Sequence, residues 1–267
     1  MAKRWTGFML LALFAQGQVA VAAEDELQVY ARASARLASL FEIAGQNRKL
    51  VPRVTSKEGA QLLSTLSDRR RFLDAKTYAL KDLPVATEMC GSATKAAMSY
   101  LLFDMQSGLA GAGKDPAKIA AALNIVGDTN FVAFQDEISP LLAFSYQCMA
   151  KQIPLLEQFI AGLKPEELTD VRRAGLRQMQ NGIFSAYYNF LGAFATPSVS
   201  DSNRGRIARV MAEVAPSYAA ILPVKGREQI QALARSMQAK VPSKFAGDLA
   251  KIVTAMENKR CDGLCRI

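Results

Sequence analysis

Residues 165–195, PEELTDVRRAGLRQMQNGIFSAYYNFLGAFA, form the longest uninterrupted helical pattern in the chain. Apolar residues recur in it at three- and four-residue spacing, which is typical of an α-helix. Pro165 suits the first turn of a helix, and Glu166, Glu167 and Asp170 place negative charge near the positive end of its dipole. At about 1.5 Å per residue, the pattern predicts a central helix roughly 46 Å long.

The rest of the chain repeats this pattern in shorter segments. Alanine is abundant, and the alternating β-branched runs that would indicate strands are absent. We therefore predict an all-α, multi-helix bundle of about nine to ten helices with disulfide staples. It occupies residues 24–267, with a possible sub-domain boundary near 196–205, TPSVSDSNRG. The other predicted helices lie at about 27–44, 56–72, 84–110, 115–123, 128–150, 154–163, 204–220, 224–240 and 243–260.

Several of these helix boundaries depend on single residues. Gly45 is expected to end the first helix, and Ser56 to cap the second. Asp128 is expected to cap a helix of its own, and Pro154 to start another. Pro140 either kinks the 128–150 helix or begins a new one.

The N-terminus has the three parts of an export signal. Lys3 and Arg4 precede a short apolar run at 8–15, and small residues at 20–23 offer a cleavage site. The apolar run is about half as long as a bilayer span requires, so we expect no stable transmembrane anchor after cleavage. The sequence therefore predicts a signal peptide at 1–23 and a periplasmic or secreted protein.

The chain is basic, with a formal net charge of +9, of which +7 remains once Lys3 and Arg4 are removed. Such a charge favours anionic partners such as wall polymers and lipid head groups. Nucleic acid is also anionic, but export argues against it, and we predict no nucleic-acid partner.

Four cysteines remain in a compartment where disulfides persist: Cys90, Cys148, Cys261 and Cys265. If helices 84–110 and 128–150 are antiparallel neighbours, Cys90 and Cys148 lie at matching heights, about 30 Å from the connection. We therefore predict a Cys90–Cys148 disulfide. Cys261 and Cys265 then close a small terminal loop, for which a redox or metal pair is the weaker interpretation.

The absence of histidine excludes several kinds of chemistry. The chain has none, which rules out Ser-His-Asp and Cys-His catalysis, histidine-ligated zinc and covalent c-type haem attachment. We predict no cofactor and no metal site.

Ser92 and Lys95 have the S-x-x-K spacing of some Ser-Lys acyl-transfer enzymes. The S-D-N and K-T-G motifs that accompany it in those enzymes are not matched, and the predicted fold has no strand to carry the second. We therefore interpret the segment as a helical face and predict no catalytic residue.

Carboxylates are the remaining candidates for acid–base chemistry. Asp136 and Glu137 are sequence neighbours, so a helix directs them to different faces. Glu88, Asp104 and Glu157 lie in apolar-rich helices and become candidates for wall-polymer hydrolysis only if they are buried and paired.

Two sets of residues are candidates for binding. Three arginine clusters would grip an anionic polymer or an acidic protein face if they converged; otherwise they are solvated faces. An aromatic set in an uncharged segment indicates either core packing, an apolar ligand pocket or membrane insertion. The arginines are Arg69, Arg70 and Arg71; Arg172, Arg173 and Arg177; and Arg204, Arg206 and Arg209. The aromatic residues are Phe184, Tyr187, Tyr188 and Phe190.

The residues together favour an exported, non-catalytic helical binding protein that recognises a protein or an anionic envelope component. The alternatives are a carboxylate-dependent envelope hydrolase and a carrier of an apolar ligand.

Overall fold

The computed structural model describes residues 21–74, 77–257 and 264–266, and within them the chain is helical and contains no strand. The predicted all-α multi-helix bundle is confirmed, with ten α-helices in the described part of the chain. They are α1 (Val21–Ala44), α2 (Lys57–Leu66), α3 (Leu83–Leu101), α4 (Met105–Leu109), α5 (Pro116–Ala133), α6 (Gln135–Ala161), α7 (Asp170–Ala193), α8 (Asp201–Ile221), α9 (Val224–Gln238) and α10 (Ala246–Glu257).

The described residues divide into two compact units. Unit 1 comprises 21–74, 77 and 84–145, and unit 2 comprises 78–83, 146–257 and 264–266. The segment 196–205, where the sequence suggests a boundary, lies within unit 2: residues 196–200 precede α8 and residues 201–205 form its start.

Several helix ends follow the expected local chemistry. Gly45 ends α1 with a φ of +54°, a left-handed conformation that favours glycine. The Ser56 hydroxyl accepts a hydrogen bond from the Gly59 N–H and caps α2. Thr169 and Ser200 cap α7 and α8 in the same way.

Other boundaries differ from the prediction because tertiary packing overrides local signals. Asp128 lies inside α5 and caps nothing. Pro140 and Pro154 both lie inside α6, so the predicted helices 128–150 and 154–163 are replaced by one that runs from Gln135 to Ala161. Gln152, Ile153 and Leu155 are buried on either side of Pro154. Their burial offsets the cost of a proline in a helix.

The helix predicted at 165–195 is also shorter in the structure than the sequence pattern indicates. Pro165–Glu167 forms a separate 3₁₀ turn, and Leu168 leaves helical geometry at φ −83° and ψ 60°. Thr169 then caps α7, whose 24 residues span about 36 Å. Glu166 and Glu167 therefore lie outside the first turn of α7, and Asp170 lies within it.

A further break separates α3 from α4. The predicted 84–110 helix ends at Leu101, and Asp104 has a φ of +56°, which is uncommon for a residue other than glycine. The Ser107 hydroxyl donates to the Asp104 carboxylate at 2.5 Å. This local bond is an example of how aspartate tolerates the left-handed conformation.

The predicted Cys90–Cys148 disulfide is confirmed and joins α3 to α6. The two helices run antiparallel at this point, since the Thr94 and Ser145 hydroxyls are 2.5 Å apart in the same register. In the chain-entropy model, a bridge closing a loop of almost 60 residues stabilises by about 4 kcal/mol. Cys265 is disulfide-bonded, but Cys261, and with it the predicted terminal loop, lies outside the described residues, as do residues 1–20.

Each unit has an aromatic core. In unit 1, Phe41 and Phe134 lie against Tyr100, with ring centroids 4.7 and 5.6 Å away. In unit 2, Tyr146 stacks on Phe190 with ring centroids 4.9 Å apart. Among the described helices, none combines the length and apolar character needed to cross a membrane.

Candidate functional site

The connection between α1 and α2, residues 45–56, forms a groove at the surface of unit 1. We call it the loop groove; its volume is about 400 Å³. Apolar side chains form part of its wall, and charged and hydroxyl side chains form the remainder. The lining residues are Leu40, Lys49, Leu50, Val51, Pro52, Arg53, Thr55, Ser56, Glu58 and Gly59.

Glu137, the buried carboxylate of unit 1, holds the back of this connection. Its Oε1 accepts from Arg53 Nε at 2.9 Å and from the Val54 N–H at 3.0 Å. The Glu137 side chain is fully buried, whereas Arg53 is 38% exposed. The carboxylate therefore fixes both a side chain and the backbone of the connection, and losing it would leave Arg53 without its counter-charge.

Asn130 is a second anchor, at the end of α5. It is fully buried, and its amide nitrogen donates to the carbonyl oxygens of Leu101 and Phe103 at 3.1 and 2.8 Å. Its amide oxygen accepts from Arg48 at 2.8 Å. One side chain thus satisfies carbonyl groups where α3 ends and fixes the basic start of the connection.

Tyr100 and Phe134 form an aromatic support beneath the connection. The Tyr100 hydroxyl donates to the Pro52 carbonyl oxygen at 2.8 Å. Burial, and secondarily the Glu137 carboxylate, raise the pKa of Tyr100 far above its ordinary value, while Arg53 opposes the shift. The Arg53 guanidinium lies 4.9 Å from the centre of the Phe134 ring, a cation–π distance.

Gly59 allows the first turn of α2 to pass close to the connection. A Cβ on this residue would collide with the Arg53 carbonyl oxygen. That oxygen already accepts from the Ser56 hydroxyl at 2.9 Å. The groove is therefore closely packed on this side, where the Ser56 hydroxyl bridges the Gly59 N–H and the Arg53 carbonyl oxygen.

The charged side chains at the loop groove differ in whether a counter-charge lies beside them. Glu58 pairs with Arg36 at 2.6 Å, and Arg53 pairs with Glu137. Among the described residues, the Lys49 ammonium has no such counter-charge. Leu50 beside it is 54% exposed. The surface therefore offers an uncompensated cation next to apolar side chains, a combination suited to an anionic partner with an apolar part.

Comparison of the chain with protein-family models, with curated proteins and with solved structures gives no match in any of the three.

Arg48, Lys49 and Arg53 are absent from the binding residues predicted from sequence. Three basic residues within six positions around a proline were the available signal. The buried Glu137, which pairs with Arg53, lies 83 residues away from Val54 along the chain, and no local pattern reveals that pairing.

The first predicted arginine cluster lies in unit 1, after α2. Arg69 pairs with Asp74 at 3.1 Å. The Arg71 guanidinium lies 5.6 Å from the centre of the Phe72 ring. Arg70 is exposed.

The other two clusters lie in unit 2, at opposite ends of an antiparallel helix pair. Gln180 donates to the Ile221 carbonyl oxygen at 3.1 Å, and Tyr187 donates to that of Met211 at 2.7 Å. The start of α7 therefore lies beside the end of α8, and the two clusters do not meet. They are Arg172, Arg173 and Arg177 on α7, and Arg204, Arg206 and Arg209 on α8.

Several of these arginines are engaged within the fold. Arg172 donates to the Glu167 carbonyl oxygen at 2.6 Å, which fixes the turn before α7. Arg204 donates to the carbonyl oxygens of Thr196 and Pro197, each at 3.0 Å. Arg206 donates to a neighbouring side chain of its own helix.

The predicted aromatic set divides between core and periphery. Tyr187 and Phe190 are buried against Tyr146. Phe184 and Tyr188 are partly exposed, with ring centroids 5.6 Å apart. The first pair are packing residues of unit 2, whereas the second pair lie at its edge.

Ser92 and Lys95 are not arranged as a nucleophile and its base. The Ser92 hydroxyl donates to the Glu88 carbonyl oxygen at 3.0 Å, in the preceding helical turn. Lys95 is exposed, whereas a lysine base requires desolvation.

The carboxylates that the sequence singles out differ in how exposed they are. Glu88 and Asp136 are exposed, and Asp104 and Glu157 are partly exposed. Within the described ranges, no group of three or more His, Cys, Asp or Glu side chains is placed to hold a metal ion.

Proposed function

We propose that this is an exported, non-catalytic helical binding protein whose loop groove takes an acidic segment of a partner protein in the cell envelope. The observation that carries the proposal is the Lys49 ammonium beside the exposed Leu50: no described residue supplies its counter-charge, while the neighbouring Arg53 and Glu58 are paired. An acidic side chain would pair with Lys49, and an adjacent apolar one would cover Leu50.

The rigidity of the groove supports binding by a preformed surface. The connection is held by Glu137, Asn130 and Tyr100 through bonds of 2.8 to 3.0 Å. A surface already ordered before association loses little conformational entropy on binding. The volume of the loop groove, about 400 Å³, lies in the range of sites that take a small ligand or a few side chains.

Export is inferred from the basic and apolar pattern at 1–23. In that compartment the basic chain meets anionic polymers, lipids and proteins. A short groove with partly apolar walls, in which Lys49 has no counter-charge from the described part of the chain, favours a peptide over an extended polyanion, because a polyanion is bound by many cations in a row.

Affinity capture with charge-reversed variants tests this function. The disulfide-intact protein and its K49E and K95E variants would be immobilised and exposed to envelope extract. We expect one stoichiometric protein to be retained by the native protein and by K95E, and lost with K49E. Lys95 is a matched control, since it is an exposed lysine of unit 1 outside the groove.

Two results would contradict the proposal. Equal retention by K49E and the native protein would show that the groove is not the binding surface. Binding to anionic phospholipid vesicles in place of a protein, lost in K49E, would assign the groove to lipid head groups.

A further inference from the structure

Helix α5 of unit 1 is apolar yet poorly covered. More than half of its 18 residues are Ala, Val, Ile, Leu or Phe. The residues of the helix that are buried are Gly127, Asn130 and Phe131, and of these Phe131 alone belongs to that apolar set. Ile125 is 68% exposed. Exposed apolar surface on a helix that also packs inward is typical of an interaction face.

The exposed apolar residues of α5 form one stripe. Ala117, Ala121 and Ile125 are all exposed and are spaced by four residues, so they follow one another along the same side of the helix. Ile119, Leu123 and the buried Asn130 lie on the opposite side. The stripe is therefore separate from the inward face of α5, and none of its residues lines the loop groove.

Two charges flank this stripe. Lys118 and Asp128 are both exposed and lie on the stripe's side of the helix. Neither makes an ion pair with another described residue. They stand five residues to either side of position 123.

The pattern is complementary to itself. If two α5 helices lie antiparallel about a two-fold axis at position 123, Lys118 of each copy faces Asp128 of the other. In the same register, Ile125 of each copy faces Ala121 of the other, so a large side chain fits against a small one. The same two-fold axis therefore produces two pairs of opposite charges and two pairs of a large side chain against a small one.

We propose that the exposed face of α5 is a homodimer interface in which two copies pair antiparallel about position 123. A single helix pair buries less area than a standard stable interface, so the dimer is weak, with a dissociation constant in roughly the micromolar range. This interface does not depend on the loop groove, and the failure of either proposal leaves the other standing.

Sedimentation equilibrium over about 1 µM to 1 mM protein tests the interface. The native protein should dimerise reversibly. I125D should weaken dimerisation at least about tenfold. V171D is the matched control, because Val171 is 82% exposed on a different helix; it should dimerise like the native protein.

A charge swap tests the register itself. K118D places two aspartates opposite each other and D128K places two lysines, so each alone should weaken the dimer. The double variant restores both pairs and should recover the native constant. Circular dichroism verifies that each variant is folded. A native protein that stays monomeric, a dimer unaffected by I125D, or a double variant no better than the singles would overturn the proposal.

Discussion

The polar groups buried behind the loop groove of unit 1 and those in the aromatic core of unit 2 are bonded in different ways. In unit 1, a buried carboxylate and a buried amide, Glu137 and Asn130, tie a surface connection to the helices behind it. In the aromatic core of unit 2, the Tyr146 and Tyr187 hydroxyls donate to helix carbonyl oxygens, each at 2.7 Å. Tyr218 donates to the Tyr146 carbonyl oxygen at 3.5 Å.

The two sets of buried polar groups differ in the kind of backbone that they position. The tyrosine hydroxyls join helices that already carry their own hydrogen bonds, so they add order to a packed core. Glu137 holds the Val54 backbone, which belongs to no α-helix, and Asn130 holds the Arg48 side chain at the start of the same connection. The Glu137 charge is thus buried where a non-helical segment keeps one shape.

The largest contrast between the units is expected at alkaline pH. Burial raises the pKa of Tyr146, Tyr187 and Tyr218 far above the ordinary value of 10, and their mutual proximity raises those of Tyr187 and Tyr218 further. The unfolded chain then loses protons that the folded chain keeps, so stability is retained below pH 10 and lost above it.

Each such tyrosine lowers the free energy of unfolding by about 1.4 kcal/mol per pH unit above 10. Among the described residues, burial strongly raises the pKa of Tyr146, Tyr187 and Tyr218 in unit 2 and of Tyr100 in unit 1. Phenolate absorbance and circular dichroism, recorded together, should show these tyrosines ionising only as helix is lost, and Y218F should reduce the pH dependence. Ionisation near pH 10 with the helices intact would contradict this.

Glu137→Ala should have the next largest effect. It leaves Arg53 partly buried without its counter-charge and the Val54 N–H without an acceptor, so we expect a loss of about 3 kcal/mol. Glu58→Ala is the control, because its pair with Arg36 is half exposed and contributes at most about 1 kcal/mol. Urea denaturation measures both, and equal losses would refute the role of burial.

Asn130→Ala should cost about 2 kcal/mol, since the carbonyl groups of Leu101 and Phe103 lose a buried donor and Arg48 loses its acceptor. Asn124→Ala, a partly exposed amide in the same helix, should be near neutral. Hydrogen exchange should show faster exchange at 45–56 in the first variant alone. Unchanged hydrogen exchange at 45–56 in Asn130→Ala would show that Asn130 does not order the loop groove.

Tyr187→Phe should have the smallest effect, about 1 kcal/mol, because it removes one neutral hydrogen bond to the Met211 carbonyl and keeps the packed ring. Tyr188→Phe is the control on the same helix, where the side chain is partly exposed. Thermal unfolding compares them. A loss as large as that of Glu137→Ala would remove the distinction between the units.

Local patterns predicted much of the fold and little of the site. Apolar periodicity predicts α1 and α8, and Ser56 predicts the start of α2. The matching heights of Cys90 and Cys148 predict their disulfide, although no single helix runs from 128 to 150. Pro154 misled because buried neighbours keep α6 continuous through it. The loop groove escaped prediction because Glu137 meets Val54 only through tertiary structure.

Site-specific photo-cross-linking tests the central claim, that the loop groove contacts a protein partner. A photoreactive residue would replace Leu50 in the groove or, as the control, Val171 in unit 2, which is more exposed than Leu50. We predict a single discrete protein adduct from position 50 in intact cells, absent from position 171 and abolished by K49E. No adduct at position 50, or the same adducts from both positions, would contradict the account.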